Sequence, residues 1–247
     1  DYSYYLNEAS VNKDQSPPFT DEEVEQYRNG TLPSTDWWGE MMNKSAPITQ
    51  YNLSVSGKSK KTSYFLSLGH LDQKGLYETS RYKRYNVRSN IDAELTENLS
   101  VHLNISLRKD NTDASTTGEY KLHQTLETAI PTIPAYVPEE YRIDGDELGL
   151  NFNGTGGSPI GEAIYSGYNK SASTFLETTM GAKYDFGFIE GLTFTFDYSY
   201  DFMNAQGKNF NTPYLLNSYT YENGLTNTIP SDSRISLNQQ NEQSHRK

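Results

Sequence analysis

Apolar and polar residues alternate with period two along several stretches of this chain. In residues 99–108, Leu99, Leu103 and Leu107 are among five apolar positions that are separated by Ser, His and Asn. Successive side chains of a β-strand point to opposite faces, so the alternation predicts strands with one apolar and one polar face. The stretches that show it are 51–57, 62–71, 84–95, 99–108, 174–186 and 191–202. The pattern therefore predicts about six amphipathic strands.

A sheet with one apolar face also occurs in soluble proteins, and this alternative stays open. Three features favour the wall of a transmembrane β-barrel. Most stretches are about 9–12 residues long, which a tilted strand needs to cross a bilayer. The links between them alternate between short and long. Their apolar faces end in tyrosines that are typical of an interfacial girdle, namely Tyr64, Tyr85, Tyr184 and Tyr200.

The link lengths also predict the topology. Links 57–61, 96–98 and 187–190 are short, and outer-membrane barrels have short periplasmic turns and long extracellular loops. The predicted fold is all-β, an antiparallel wall of about six strands of a larger barrel with long extracellular loops. Its regions are an extracellular loop segment with a short helix (1–49), strands (50–108), a long extracellular loop (109–173), strands (174–202), and an extracellular loop with a truncated end (203–247).

Two helices are predicted within the loops. Thr20 and Glu23 form a capping box that opens a helix, and Gly30 is its stop signal. A second helix is predicted near 119–129, before the proline at position 131. The tail 231–247 is polar and has no strand pattern.

Composition excludes several classes of protein. The net charge of −11 argues against a nucleic-acid partner, because phosphate binding needs a basic surface. Without cysteine there is no disulfide framework and no thiolate site. Only 34% of residues are hydrophobic, and no apolar run approaches the length of a membrane-spanning helix. The first residues also lack the basic start and apolar stretch of a signal peptide.

Several short motifs follow one another along the chain in a fixed order. They are 35–38 (Thr-Asp-Trp-Trp), 46–47 (Ala-Pro), 52–57 (Asn-Leu-Ser-Val-Ser-Gly), 64–69 (Tyr-Phe-Leu-Ser-Leu-Gly), 72–75 (Asp-Gln-Lys-Gly), 83–92, 130–134 (Ile-Pro-Thr-Ile-Pro) and, more loosely, 158–159. Each is ordinary strand or turn chemistry, but in their order and spacing they resemble the SusC/RagA family of TonB-dependent outer-membrane transporters. Lys58 departs from the second glycine that the family often has there.

The resemblance implies a 22-stranded barrel with a plug, in the bacterial outer membrane. It also implies energised import of oligosaccharides or peptides. The resemblance implies two partners. One is a SusD-like surface lipoprotein that covers the barrel. The other is TonB, which is reached through an N-terminal part that is missing here. The six strands of this chain cannot close into such a barrel by themselves. We therefore expect the remaining barrel and plug to belong to the same parent protein, with the edges at 51–57 and 191–202 paired to strands outside this chain.

Candidate functional residues lie on the polar strand faces and in the loops. We expect five polar residues to face the lumen, where they contact the plug or a solute; the alternative is mutual pairing along the wall. They are Arg84, Arg88, Asp92, Glu94 and His102. The loop residues predicted to contact substrate or partner are Trp37, Trp38, Tyr136 and Tyr141. For the two tryptophans, membrane anchoring or loop packing is the alternative.

No catalytic constellation is present, so we expect no enzyme and no cofactor. The four histidines lack the spacing of metal ligands. The acidic turn 144–147 (Asp-Gly-Asp-Glu) is a weak candidate for calcium and is better explained as a solvated turn. The alternatives to a transporter are a passive porin or adhesin barrel and, third, a soluble glycan-binding β-sandwich.

Overall fold

Six long antiparallel strands dominate the chain in a computed structural model, which describes residues 2–32, 34–142, 145–152, 157–220, 224–230 and 244–246. The strands are β1 (Ile48–Lys58), β2 (Thr62–Lys74), β3 (Arg81–Glu94), β4 (Leu99–Ala114), β5 (Gly167–Asp185) and β6 (Thr193–Asn211). Each strand pairs with the next in one sheet. A separate hairpin contains β7 (Leu215–Thr220) and β8 (Gly224–Pro230), and the short β9 (Ser244–Arg246) pairs with β6.

Four α-helices lie in the segments before and between the strands. They are α1 (Tyr2–Val11), α2 (Asp21–Asn29), α3 (Trp37–Met41) and α4 (Glu119–Glu127). Within the described residues, none of the helices has both the length and the apolar character needed to cross a membrane. The predicted capping box of α2 is confirmed, with Gly30 in the left-handed conformation at the helix end. The second predicted helix is also confirmed and ends at Glu127.

One face of the sheet is apolar across all six strands. A continuous row of register partners crosses it, made of Leu53, Leu68, Val87, Leu107, Leu176 and Phe202. This face is open to the surroundings: Leu53 is 69% exposed and Phe194 is 56% exposed. Soluble monomers rarely expose an apolar patch of this extent. The predicted all-β antiparallel wall is therefore confirmed.

A β-sandwich would cover this apolar face with a second sheet. In the described part of the chain, the only other sheet is the hairpin β7–β8, which belongs to the loops. The arrangement does not support the soluble β-sandwich.

The short links between strands are built by local hydrogen bonds. In the link 95–98, the Thr96 hydroxyl accepts from the backbone N–H groups of Asn98 and Leu99. In the link after β5, Gly191 takes a positive φ of 79°, which favours glycine. All three predicted short links are confirmed, so the long connections lie at the opposite end of the sheet.

All six strands extend beyond the stretches predicted from the sequence, and β4, β5 and β6 extend the furthest. The long connection was predicted over 109–173, but β4 continues to Ala114 and β5 begins at Gly167. Similarly, β6 continues to Asn211 and β9 lies within the predicted loop 203–247. Beyond the apolar stretch both strand faces are polar, so the alternation ends while the backbone pairing continues. Residues 231–243 of the predicted tail lie outside the described residues.

The long connections pack into one body with its own apolar core, here called the loop body. Its fully buried members include Leu122, Leu150 and Ile160. The core brings together α3, α4, the link after β2, the segment before β5 and the start of β7. Its buried residues are Trp37, Met41, Tyr77, Leu122, Leu126, Ala135, Leu150, Ile160, Ala163 and Leu216.

Candidate functional site

The polar face of the sheet, here called the lumen face, carries a charged cluster near the loop body. Asp110 is its centre and is largely shielded, with a side chain 16% exposed. The Tyr82 hydroxyl donates to Asp110 at 2.8 Å, and Arg84 and Arg108 reach it through Nε at 3.0 and 3.1 Å. The Arg108 guanidinium also lies 4.1 Å from the ring centroid of Phe175. The cluster joins three neighbouring strands and leaves one net positive charge.

A second pair lies nearer the short links and spans two strands. His102 Nε2 on β4 lies 3.1 Å from Asp197 Oδ1 on β6. Gly181 on β5 lies between them in the register. A Cβ added there would lie 2.2 Å from Asp197 Oδ1 and 2.3 Å from His102 Cε1. A Cβ at this position would therefore push the imidazole and the carboxylate apart.

The remaining predicted lumen residues form fewer ion pairs and hydrogen bonds with the described residues. Arg88 lies between Ser67 and Ser106 in the register, is exposed, and forms no ion pair with any described residue. Asp92 accepts a long hydrogen bond of 3.4 Å from Ser63. Mutual pairing therefore accounts for Arg84 and His102 but not for Arg88.

Glu94 is the fifth predicted lumen residue. It lies at the end of β3, where its backbone N–H donates to the Lys61 carbonyl at 2.7 Å. That bond fixes the strand end beside the first short link, so the side chain marks the rim of the lumen face. Contact of these five residues with a plug or a solute stays a prediction.

Asp110 was missed by the sequence analysis. The predicted strand ended at Arg108, so Asp110 was assigned to the loop. The period-two polar positions of β4 nevertheless continue through both residues. That continuation is the signal that identifies Asp110 as a lumen residue.

Trp37 is a core residue of the loop body, only 3% exposed. Its Nε1 donates to the Ile130 carbonyl at 3.0 Å. The neighbouring Thr35 adds two hydrogen bonds to the same proline-rich segment, from its N–H to Pro131 and from its hydroxyl to Ile133, both at 2.8 Å. The predicted contact with a substrate is therefore wrong for Trp37, because loop packing removes its ring from the surface.

Trp38 lies at the surface of the loop body. It is 40% exposed, and its ring meets His123 edge to face with centroids 5.3 Å apart. His123 in turn reaches Glu127 at 3.3 Å, one turn along α4. An accessible aromatic ring beside an imidazole and a carboxylate can stack on a solute and accept its hydrogen bonds. The predicted role of Trp38 as a contact residue stays a prediction.

Tyr136 and Tyr141 also reach the surface of the loop body, at 40% and 45% exposure. Burial of its phenol raises the pKa of Tyr136, and the nearby Glu40 raises it further. The Tyr141 ring packs against Tyr219 with centroids 5.4 Å apart. The Tyr136 phenol is therefore protonated at neutral pH, and one face of the Tyr141 ring is held against Tyr219. Their contact with a substrate or partner is likewise untested.

The acidic turn has a structural role through Asp146. Its carboxylate is buried and accepts hydrogen bonds from Gly149 N and from Asn217 Nδ2. The candidate calcium ligand Asp144 lies outside the described residues. Among the described residues, no group of three or more His, Asp or Glu side chains is arranged to hold a metal ion.

Comparison with known proteins relates the chain to TonB-dependent receptors. No protein-family profile matches the chain. TonB-dependent receptor P26 of Formosa agariphila is 27% identical over 207 residues, which are 83% of this chain and 19% of that protein. TonB-dependent receptor P3 of the same organism is 24% identical over 184 residues, 74% of this chain and 18% of that protein. The chain thus spans about a fifth of the curated relatives that it matches.

A solved structure of the RagAB peptide transporter has the same fold. The match has a TM-score of 0.54 at 18% identity, and it covers 84% of this chain and 25% of that one. At this identity the likeness concerns the fold alone. Together with the two relatives, the match confirms the predicted resemblance to SusC/RagA-type TonB-dependent transporters, and the sheet of this chain has the fold of a stretch of such a barrel wall.

Proposed function

We propose that this chain is part of a bacterial outer-membrane transporter that imports oligosaccharides or peptides with energy delivered through TonB. The observation that carries the proposal is a bilayer-high wall joined at one end to a packed loop body. The outward face of β6 stays apolar from Phe194 to Phe202, as a lipid-facing strand requires. Binding residues concentrate on loops that a rigid scaffold supports.

A surface lipoprotein of the SusD-like kind is the partner that this loop body suits. The loop body offers a fixed surface, because its long connections are held together by a buried core. Tyr120, 84% exposed, and Trp38 lie on or beside α4 at that surface. Exposed aromatic residues on a rigid support are frequent anchors of protein interfaces. The solved RagAB peptide transporter, whose fold this wall shares, supports the pairing of barrel and partner.

The lumen face supports passage of a polar solute. Arg88 and the positive cluster around Asp110 present charge to the interior, while the lipid side carries none within the apolar belt. Lumen substitutions in barrels tune selectivity in this way. We therefore propose Arg84, Arg88, Asp92, Glu94 and His102 as lumen residues that meet the plug or the solute.

A passive porin or an adhesin would use the same wall, and uptake separates these functions. Cells expressing the intact parent protein, with and without TonB, should be given labelled oligosaccharides and peptides. We expect uptake that depends on both the parent protein and TonB. Equal uptake without TonB would assign a passive channel, and no uptake of either solute class would remove the import function.

The partner is tested through the loop body. Deleting residues 119–138 removes Leu122 and Leu126 from its core, so we expect loss of uptake or of lipoprotein copurification while the barrel still inserts. The exposed Trp38→Ala and Tyr120→Ala variants refine the test, because they leave the core intact. Normal uptake and normal copurification in the deletion strain would refute a role for the loop body.

A further inference from the structure

The outward face of the sheet becomes basic beyond its apolar part. Five charged residues are consecutive register partners on β2 to β6, here called the basic row: Lys74, Arg81, Asp113, Lys170 and Lys208. Each lies six residues from the apolar-row residue of its own strand, toward the loop body; Lys208, for example, follows Phe202 by six. Because six is even, the basic row shares the outward face with the apolar row.

The basic row contains like charges directly opposite each other. Lys74 pairs in register with Arg81, and Lys170 pairs with Lys208. Opposed like charges destabilise a sheet unless something neutralises them. Asp113 is the one acidic member, so the row carries four positive charges and one negative charge on a chain with a net charge of −11. A chain with this net charge would have a negative surface on average, so the excess of positive charge in the basic row is unusual.

The three lysines lack ion pairs, although Asp113 is the register partner of Lys170. Lys74, Lys170 and Lys208 are exposed and form no ion pair with the described residues. Lys170 and Lys208 instead lie 5.0 and 5.4 Å from the ring centroid of Tyr168. Arg81 alone is paired, through Nε at 2.8 Å from Asp72. The row therefore presents three free amino groups to whatever surrounds the wall at this height.

An aromatic row fixes that height. Tyr51, His70 and Tyr85 are register partners on β1 to β3, between the apolar row and the basic row. Their rings stack, with centroids 6.4 Å apart for Tyr51 and His70 and 4.7 Å apart for His70 and Tyr85. Amphipathic rings collect at the boundary between hydrocarbon and headgroups. The wall thus passes from apolar to aromatic to basic in the direction of the loop body.

We propose that the basic row binds phosphate groups of a glycolipid in the outer leaflet of the surrounding membrane. On β2 and β3, which carry both rows, the basic row lies four residues or about 13 Å beyond the aromatic row, and less in height because barrel strands tilt. That is the depth of charged headgroups. The amino groups share their side of the sheet with the lipid-facing residues, so they meet membrane lipid and not a solute in the lumen. A phosphate between Lys170 and Lys208 also removes their repulsion.

The inference rests on the proposed outer-membrane placement, and its test uses the intact parent protein in phosphatidylcholine vesicles with or without diphosphoryl lipid A. The variant Lys170→Gln/Lys208→Gln is compared with Lys44→Gln/Lys121→Gln, which removes equal charge from exposed loop positions. We expect the row variant to bind fluorescent diphosphoryl lipid A about 25-fold more weakly, at roughly fivefold for each of the two lysines. The loop variant should bind like the wild type.

The stability of the barrel gives a second readout. Without lipid A, the row variant should be as stable as the wild type or more stable, because a repulsive pair is gone. With lipid A, only the wild type and the loop variant should be stabilised. This reversal would not occur if the lysines had a purely structural role.

Several results would overturn the proposal. They are equal lipid A binding by the row variant and the wild type, an equal loss in the loop variant, or the same affinity for dephosphorylated lipid A. Displacement of the lipid by inorganic phosphate at matched concentration would assign the row to a soluble anion instead. Heat-dependent gel mobility verifies barrel insertion, and uptake assays on the same variants keep a failure of transport distinct from a failure of lipid binding.

Discussion

An arginine at Phe196 tests whether the apolar face of the sheet contacts lipid. Phe196 lies on β6 opposite Ala182, and 54% of its side chain is exposed. The outward apolar positions run from Leu192, just before this strand, to Phe202, so Phe196 lies near their middle. In a membrane, this places the position close to the bilayer midplane.

The expected penalty follows from that depth. Arginine on the lipid face of a barrel at the midplane costs about 2–4 kcal/mol, which is a factor of roughly 30 to 1000 in the unfolding equilibrium. Thr195 is the neighbouring residue and points to the lumen face, opposite Lys183. Thr195→Arg keeps its guanidinium in water and should cost much less. Phe196→Ala separates the loss of the ring from the burial of a charge.

Guanidinium-induced unfolding of the intact parent protein in lipid vesicles provides the measurement. Equal slopes against denaturant would show that the midpoints compare stability alone. We expect Phe196→Arg to be the least stable of the three variants and Thr195→Arg to resemble the wild type. A protein that tolerates Phe196→Arg but is destabilised by Thr195→Arg would place the apolar face in a protein interior and refute the reasoning.

Three further substitutions test packing. Leu122→Ala should destabilise the loop body by about 2–5 kcal/mol, which would be seen as faster proteolysis of the external loops. Its control is Tyr120→Ala, which should leave proteolysis unchanged because that ring is 84% exposed. Trp37→Phe removes one of the two donors to the Ile130 carbonyl, which keeps the Ile133 N–H, and should cost about 1 kcal/mol in the same assay; unchanged proteolysis would contradict it. Gly181→Val should lower barrel stability by about 1–3 kcal/mol by forcing apart the imidazole and carboxylate that meet over it. Gly207→Ala is its control, since a Cβ there meets nothing within 4 Å; equal effects would disprove the close-approach argument.

The strands were predictable where lipid dictates the sequence. A lipid-facing strand needs an apolar residue at every second position, so Leu99, Val101 and Leu103 reveal both the strand and its faces. Beyond the hydrocarbon both faces of a strand meet water. The residues Lys109 to Ala114 therefore lack alternation, although backbone hydrogen bonds continue the strand. Helix α1 was missed for a related reason: its sequence, Tyr2–Val11, has no clear apolar face.

For the candidate site, the sequence predicts the face of the sheet on which each residue lies but not the residue that it contacts. Their alternate positions along the strands were enough to place Arg84 and His102 on the lumen face. Their partners depend on the register between strands, which the turn geometry sets and which composition does not encode. Trp37 shows the opposite error. Its burial depends on Ile130, 93 residues away, and no local pattern indicates that contact.

The most direct test of the account is the side of the membrane on which each end of the wall lies. The chain contains no cysteine, so single cysteines can be placed at Tyr120 in the loop body and at Glu97 in a short link of a cysteine-free parent protein. On intact cells that lack the lipoprotein partner, a membrane-impermeant maleimide should label Tyr120→Cys, and it should label Glu97→Cys only after the outer membrane is permeabilised. Labelling of Glu97→Cys on intact cells, or protection of Tyr120→Cys, would contradict a transmembrane wall with an external loop body.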